Sequence, residues 1–446
     1  MTGSQQPSPE RSLPGTAAGP RSALRALLTN AGSMVGTTLA TSLLGVAFWF
    51  VAAQHFSEAS VGIAGAAVSG MLLIGFVGAL GMGTLLMGEL PRRAGGRYAL
   101  LNAALLTSAA TGALLGLGFA VIAPIVSPNL GPLNASATAA ISFACGAGLT
   151  ALTYVLDQAL VGLLRGGLQL LRNVIFASAK LAALLAVAAF LTSPEAAWIY
   201  TAWGAGIVVS LVVMLRVYGH DAGSLRPDFR TLHRMRRAAA SHAAVNLALE
   251  TADLAMPIVV VSLLSPSDNG GFYIAWLVVG FMVMIPFSLS SVAYAIGSAD
   301  GTRLVERFRF TFAASIALGI LANLVLIAAA GPILEVFGPG YAETATTALQ
   351  VLALGIFPLT VKTHYVAIHR VRRTLGRALP IAWAGTLLEL GGGALGAALG
   401  GITGVAWGWL AGLLVEALVM GRDVWRIFPP ERAPRSGRSP ADLERA

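Results

Sequence analysis

The sequence predicts an all-α membrane protein of about 12 transmembrane helices in two parallel six-helix bundles around a central cavity. Three observations predict it: an apolar excess that no water-soluble fold can hide, a series of apolar runs each long enough to cross a bilayer, and arginines confined to alternate connections. Of 446 residues, 56% are hydrophobic and 11% charged, against about 25% charged in an average soluble domain. The mean hydropathy of +0.76 agrees. A globule in water needs a polar skin; a protein in lipid does not.

A span needs roughly 20 apolar residues at a rise of about 1.5 Å each. Twelve runs meet this, over 31–53, 62–88, 98–122, 137–163, 172–192, 195–217, 238–263, 270–296, 309–329, 343–369, 377–399 and 402–420. Hydrocarbon offers no partner to a free peptide group, so each run is expected to be helix. Thr192-Ser193-Pro194-Glu195 and Gly400-Gly401-Ile402-Thr403-Gly404 supply the breaks in the two tightest connections. Pro257 and Pro286 fall within spans seven and eight and are candidate kinks.

The basic residues test the count. With connections numbered alternately inside and outside, every arginine falls on an inside segment. The outside segments carry Glu58, Glu195, Asp268, Glu335 and Glu343 instead. One span more or fewer would put later arginine clusters on the wrong side. The positive-inside rule therefore predicts a multi-pass protein of the cytoplasmic (inner) cell membrane with both termini in the cytoplasm. The net charge of +9 serves topology; no basic stretch is interleaved with aromatics as in a nucleic-acid surface, so none is expected as a partner. Membrane lipids are expected partners.

The longest inside connection divides the chain. The expected organisation is a disordered cytoplasmic N-terminus (1–28), an N-terminal six-helix half (29–217), a basic linker (218–237), a C-terminal six-helix half (238–421) and a disordered tail (422–446). Phe56-Ser57 leading to Gly62 matches Leu264-Ser265 leading to Gly270, at an offset of about 208 residues. Such a parallel repeat places a pseudo-twofold axis along the membrane normal. Gly112 and Gly116 form a small-xxx-small pair, and glycines recur every fourth residue from Gly392 to Gly412. Both patterns permit close helix packing.

Charge inside a span is costly and faces protein or a water-filled cavity. The candidates are Asp157, Lys180, Glu250, Asp253, Lys362, Glu389 and Glu416. Lys180 and Lys362 are the only lysines, each eight residues from an inside arginine, or about 12 Å of helix rise. One reading has both lining a cavity that holds an anionic headgroup. The competing reading pairs them with carboxylates: Asp157 lies at a similar depth to Lys180 on the adjoining span. Glu250 and Asp253 are three apart on one helical face and are the candidates to carry a proton or sodium ion. His364 points away from Lys362 and is expected to pack. Glu416 is expected near the inner interface, paired with an arginine. No Gly-x-x-x-x-Gly-Lys loop, no His-Glu-x-x-His and no metal-spaced cysteines exist; Cys145 is the only cysteine. No cofactor or metal is expected, and the short loops leave no room for a catalytic domain.

Three stretches resemble the polysaccharide (O-antigen/exopolysaccharide) flippase family of the multidrug/oligosaccharidyl-lipid/polysaccharide exporter superfamily. The first is Asn30-Ala-Gly-Ser-Met-Val-Gly36, with Phe48-Trp49 and Phe56-Ser-Glu-Ala-Ser-Val-Gly62. The second is Tyr154-Val-Leu-Asp-Gln-Ala-Leu-Val-Gly162, with Leu171-Arg172-Asn173-Val174 and Lys180-Leu181. The third is Met256-Pro-Ile-Val-Val-Val261, continuing through Gly271-Phe-Tyr-Ile-Ala275 to Ile285-Pro286. The resemblance implies a transporter, not an enzyme, that flips an undecaprenyl-pyrophosphate-linked oligosaccharide to the outer leaflet by alternating access. Lys180, Lys362 and Asp157 become cavity candidates. A lipid-linked anionic glycan becomes the expected partner, and glycan polymerase or ligase machinery further ones. Asp157 and Lys180 fall inside the matching stretches; Lys362, Glu250 and Asp253 do not. The alternative is a proton- or sodium-coupled drug or cation antiporter of the same superfamily, which calls for an acidic cavity where the flippase calls for a basic one.

Overall fold

The computed structural model describes residues 41–93, 95–191, 195–218, 226–299, 304–372 and 374–425. The segment expected to be disordered at the N-terminus (1–28), most of the tail (426–446), the Thr192-Ser193-Pro194 break and linker residues 219–225 lie outside them.

The first half contains α1 (41–55 among the described residues), α2 (Glu58–Gly78), α3 (Met82–Glu89), α4 (Arg97–Val126), α5 (Ala137–Gly162), α6 (Gly166–Phe190) and α7 (Ala196–Tyr218). The short α8 (Phe229–Arg234) follows. The second half contains α9 (Arg236–Leu263), α10 (Pro266–Ala299), α11 (Leu304–Glu335), α12 (Pro339–Ala353), α13 (Ile356–Val371) and α14 (Leu375–Trp425). Among the described residues nine helices are long and apolar enough to cross a membrane, or ten if the bent pair α12–α13 is one span. α14 covers two of the predicted spans and α1 overlaps another, so among the described residues each of the twelve predicted spans overlaps helix. The fold is all-α.

Local chemistry sets the ends. Ser57 caps α2 by accepting from the Ser60 amide at 3.2 Å, and Ser136 caps α5 through the Ala139 amide at 3.1 Å. Ser265 and Asp268 form a reciprocal capping pair at the start of α10: the Ser265 amide donates to Asp268 at 3.1 Å and the Asp268 amide to the Ser265 hydroxyl at 3.0 Å. Asp228 caps α8 and ties it to α4 by donating its own amide to the Ala99 carbonyl at 2.9 Å.

Two breaks fall in unexpected places, and the one expected at Gly400-Gly401 is present. The run 62–88 is interrupted between α2 and α3 at Leu80 (φ 50) and Gly81 (φ 70). Gly81 lies against the Ala239 carbonyl and Ala243 amide of α9, where a Cβ would not fit. The run 343–369 bends by 44° between α12 and α13, where the Trp409 ring occupies the space beside Gly355. Pro257 and Pro286 both lie inside uninterrupted helices. The glycine ladder becomes a hairpin: Gly400 and Gly401 (φ 59) depart from helical geometry and fold α14 into two limbs. Gly396 then faces Gly404, Gly392 faces Gly408, and Gly412 faces Leu388, each against backbone.

The halves meet where α2 crosses α10. A Cβ on Gly62 of α2 would strike the Pro266 carbonyl of α10, and one on Gly270 of α10 would strike the Glu58 carbonyl of α2. These contacts are equivalent under the offset of about 208 residues. Asn269 seals the crossing by donating to the Gly62 carbonyl at 2.7 Å. Farther along, Asn246 of α9 donates to Thr84 of α3 at 2.9 Å. One continuous apolar core, from Phe48 and Trp49 to Met256 and Trp409, joins the halves.

Candidate functional site

Four sets of charged side chains occupy the spans. The first couples α5 to α6. Arg172 donates to Asp157 through Nε at 2.7 Å and Nη2 at 2.5 Å, and through Nη2 also to Asn173 at 2.7 Å. The Asn173 amide is anchored on the Gln169 carbonyl at 3.0 Å. Asp157 is therefore the partner of Arg172 and not of Lys180. The fork of a guanidinium matches a carboxylate bidentately, and Arg172 lies on the face of α6 turned to α5.

Lys180, on α6, is buried in a box of aromatic rings. Its Nζ lies 3.6 Å from the centroid of Trp203, 4.8 Å from Phe176 and 4.9 Å from Phe48. Gly206 of α7 lets the lysine stem pass, since a Cβ there would come within 2.7 Å of its Cβ. Among the described residues no carboxylate pairs with this ammonium. Ring faces are its stabilising surroundings.

The third set is a buried triad in the second half. Lys362 of α13 donates to Glu389 Oε1 at 2.6 Å and lies 3.1 Å from Glu416 Oε2. The second oxygen of Glu389 accepts the indole N–H of Trp409 at 3.0 Å. Both glutamates come from α14, one on each limb, so the hairpin brings them to one lysine. Glu416 thus meets Lys362 rather than an arginine. His364 packs as expected, its Nδ1 2.9 Å from the Thr360 carbonyl and its ring 5.2 Å from Phe312.

Glu250 and Asp253, on one face of α9, are exposed, although they lie within a span. The Trp276 indole donates to Asp253, which also lies near Glu389 and Lys362. Glu250 lies near Asp253, Arg370 and Lys362. Across from them, α5 contributes Tyr154, close to Glu250 and hydrogen-bonded to Thr84. Tyr273 of α10, close to Asp253, is hydrogen-bonded to Ser69 of α2. The two exposed carboxylates thereby lie among aromatic side chains with polar tips drawn from both halves. Sequence reasoning found the charges but missed Trp276, Trp409 and the aromatic box around Lys180. Tryptophans spaced along apolar spans were the available signal, and only the helix rotations reveal which way they face. Among the described residues no group of three or more His, Cys, Asp or Glu is placed to hold a metal ion.

The MatE family model matches residues 243–390. That stretch holds Glu250, Asp253, Lys362 and Glu389 and ends before Glu416. No curated protein matches the chain by sequence. Solved structures match over most of its length. An inward-facing multidrug resistance MATE family transporter of the MOP superfamily is 16% identical, with a TM-score of 0.66, over 87% of this chain and 94% of that one. The lipid II flippase MurJ in an inward closed conformation is 13% identical, also at 0.66, over 87% and 86%. The chain has the fold of MOP-superfamily transporters. A third relative of that fold, a transporter from Pyrococcus furiosus described by the reversed polarity of its binding pocket, is 15% identical with a TM-score of 0.57, over 88% and 93%.

Proposed function

We propose that this protein is an alternating-access transporter of the cell membrane that couples a proton or sodium ion, held at Glu250 and Asp253, to movement of an organic cation. The observation that carries this reading is the polarity of the space between the halves. The exposed span charges there are both acidic, whereas Lys362 is occupied by two glutamates and Lys180 is buried among rings. Trp276, Tyr154 and Tyr273 add the π-faces that favour an organic cation. The arginine-rich end is assigned to the cytoplasm.

A second reading, flipping of a lipid-linked pyrophosphate oligosaccharide, draws on one observation: Lys180 has no carboxylate partner among the described residues, so its donors are not already committed to an anion. Proteoliposomes distinguish the two. Under an imposed proton or sodium gradient, ethidium movement is expected in the wild type. It should fall about tenfold or more in Asp253→Asn and Glu250→Gln, in line with coupling energies of about 1–3 kcal/mol. Flipping of a lipid-pyrophosphate glycan that is lost in Lys180→Ala but untouched by Asp253→Asn would transfer the assignment to the second reading.

A further inference from the structure

Glu416 differs from the other span carboxylates. It stands on the second limb of α14, nine residues before Trp425, or about 14 Å along the helix. Its side chain is 1% exposed. Its one cationic neighbour among the described residues is Lys362, whose Nζ lies 3.1 Å from Oε2, and its carboxyl also abuts that of Glu389. Glu389 takes the lysine's donor and the Trp409 indole, so both of its oxygens are satisfied. Two carboxylates around one ammonium leave an uncompensated negative charge in apolar surroundings, which are unfavourable to it. Such a set shares its protons, and Glu416 is the member more weakly held: Glu389 has the shorter lysine contact and the indole as well.

The surroundings also open a route. Between the limbs of α14 lies a cleft of about 200 Å³, lined by Pro380, Ala384, Gly385, Leu388 and Val419, with Glu416 at its floor. Pro380, Ala384, Leu388 and Val419 are exposed. They share the outer face of α14 with Leu387 and Leu418, so the cleft faces hydrocarbon. Gly385 keeps it open, because a Cβ there would overlap the Glu416 carboxyl. The groups that face Glu416 are Lys362 and Tyr365 from α13 and Glu389 from the other limb. On α9, Glu250 and Asp253 face Lys362 instead. Asp423, later on the same limb, faces His369 at 3.8 Å. Among the described residues α10 and α12 bring no titratable group against it.

We propose that Glu416 is a proton-binding carboxyl reached from the lipid side, and hence a site of covalent modification by apolar carbodiimides. The step balances as an addition. The carboxyl proton passes to a carbodiimide nitrogen, the carboxylate oxygen bonds to the central carbon, and the acyl group then shifts to nitrogen as a stable N-acylurea. Nothing leaves and no electron is transferred. This inference does not depend on the substrate.

The test treats the full chain in lipid vesicles with dicyclohexylcarbodiimide and maps the adduct by peptide mass spectrometry. Glu416 is expected to be the principal labelled residue. Its labelling should decline about tenfold per pH unit above its midpoint, as the protonated fraction does. A charged, water-soluble carbodiimide should leave it unlabelled. Gly385→Ala, which narrows the cleft and suits a helix, should slow labelling, and Glu416→Gln should abolish it at this peptide. Absence of label on Glu416 at every pH, pH-independent labelling, or equal reaction with the charged reagent would overturn the proposal. Because the decisive readings use wild-type protein, poor folding of Glu416→Gln would not blunt them.

Discussion

Asp157 and Arg172 hold α5 to α6 by a two-point contact, and removing one partner strands the other's charge. Asp157→Ala is therefore expected to destabilise the protein by about 3 kcal/mol or more, read as a lower melting temperature in detergent. The double variant Asp157→Ala/Arg172→Met should recover part of that loss, since an apolar replacement of a whole pair costs less than a broken one. These residues show how far the sequence could be read. Asp157 stood out as a charge in a span, but its partner depended on rotation about α6. Arg172 and Lys180 are eight residues apart and present different faces, and Lys180 turns instead to Trp203 of α7. Charge placement was legible because the bilayer penalises it one residue at a time. Pairing was not, because pairing is a property of two helices.

Among the elements, α8 rests on a single carboxylate. The Thr231 hydroxyl and amide, bonded to Asp228, hold its carboxyl below the usual range. A depressed value in the folded state means that the cap is at full strength above about pH 4, where the free group ionises, and is lost as pH falls through the folded value. The hydrogen-exchange protection factors over Phe229–Arg234, with the intrinsic pH dependence of exchange divided out, should be unchanged from neutral pH down to that point and fall below it; Asp228→Ala should show the low protection at neutral pH. The α2–α10 crossing makes a different demand. Ala at position 62 places a methyl on the Pro266 carbonyl, an overpacking that costs about 1–3 kcal/mol. The two halves relieve it by parting at this end. In Gly62→Ala, a cysteine at buried Val61 should react with a thiol reagent several-fold faster than in the parent. An unchanged rate would mean that the crossing is not the closed gate. The glycine hairpin of α14 was visible as a four-residue spacing, since small residues have one common use between helices. The break at Leu80–Gly81 was not, because an apolar run through a left-handed turn looks like uninterrupted span until α9 is placed against it.

At the scale of the molecule, the repeat and the charge asymmetry combine into one geometric requirement. Two halves related by an offset of about 208 residues touch symmetrically where α2 crosses α10, through Gly62 and Gly270. The exposed carboxylates of α9 lie deeper between them. A solute held at that depth can leave past the crossing only if α2 and α10 separate there, because close-packed backbones leave no side-chain motion that would open a path. Cysteines replacing Gln54 and Val336, exposed neighbours across the halves at this end, where the Gln54 amide donates to the Val336 carbonyl at 2.9 Å, provide the test in a chain whose native Cys145 has been changed to Ala. Bridging them with a short thiol-specific cross-linker should stop gradient-driven movement in vesicles, and reduction should restore it. The same pair left uncross-linked should transport at the parent rate, which separates the constraint from the substitutions. Transport that continues at full rate through the bridged protein would mean that the halves do not part at this crossing, and a rocking motion about the repeat axis could not then be the mode of transport.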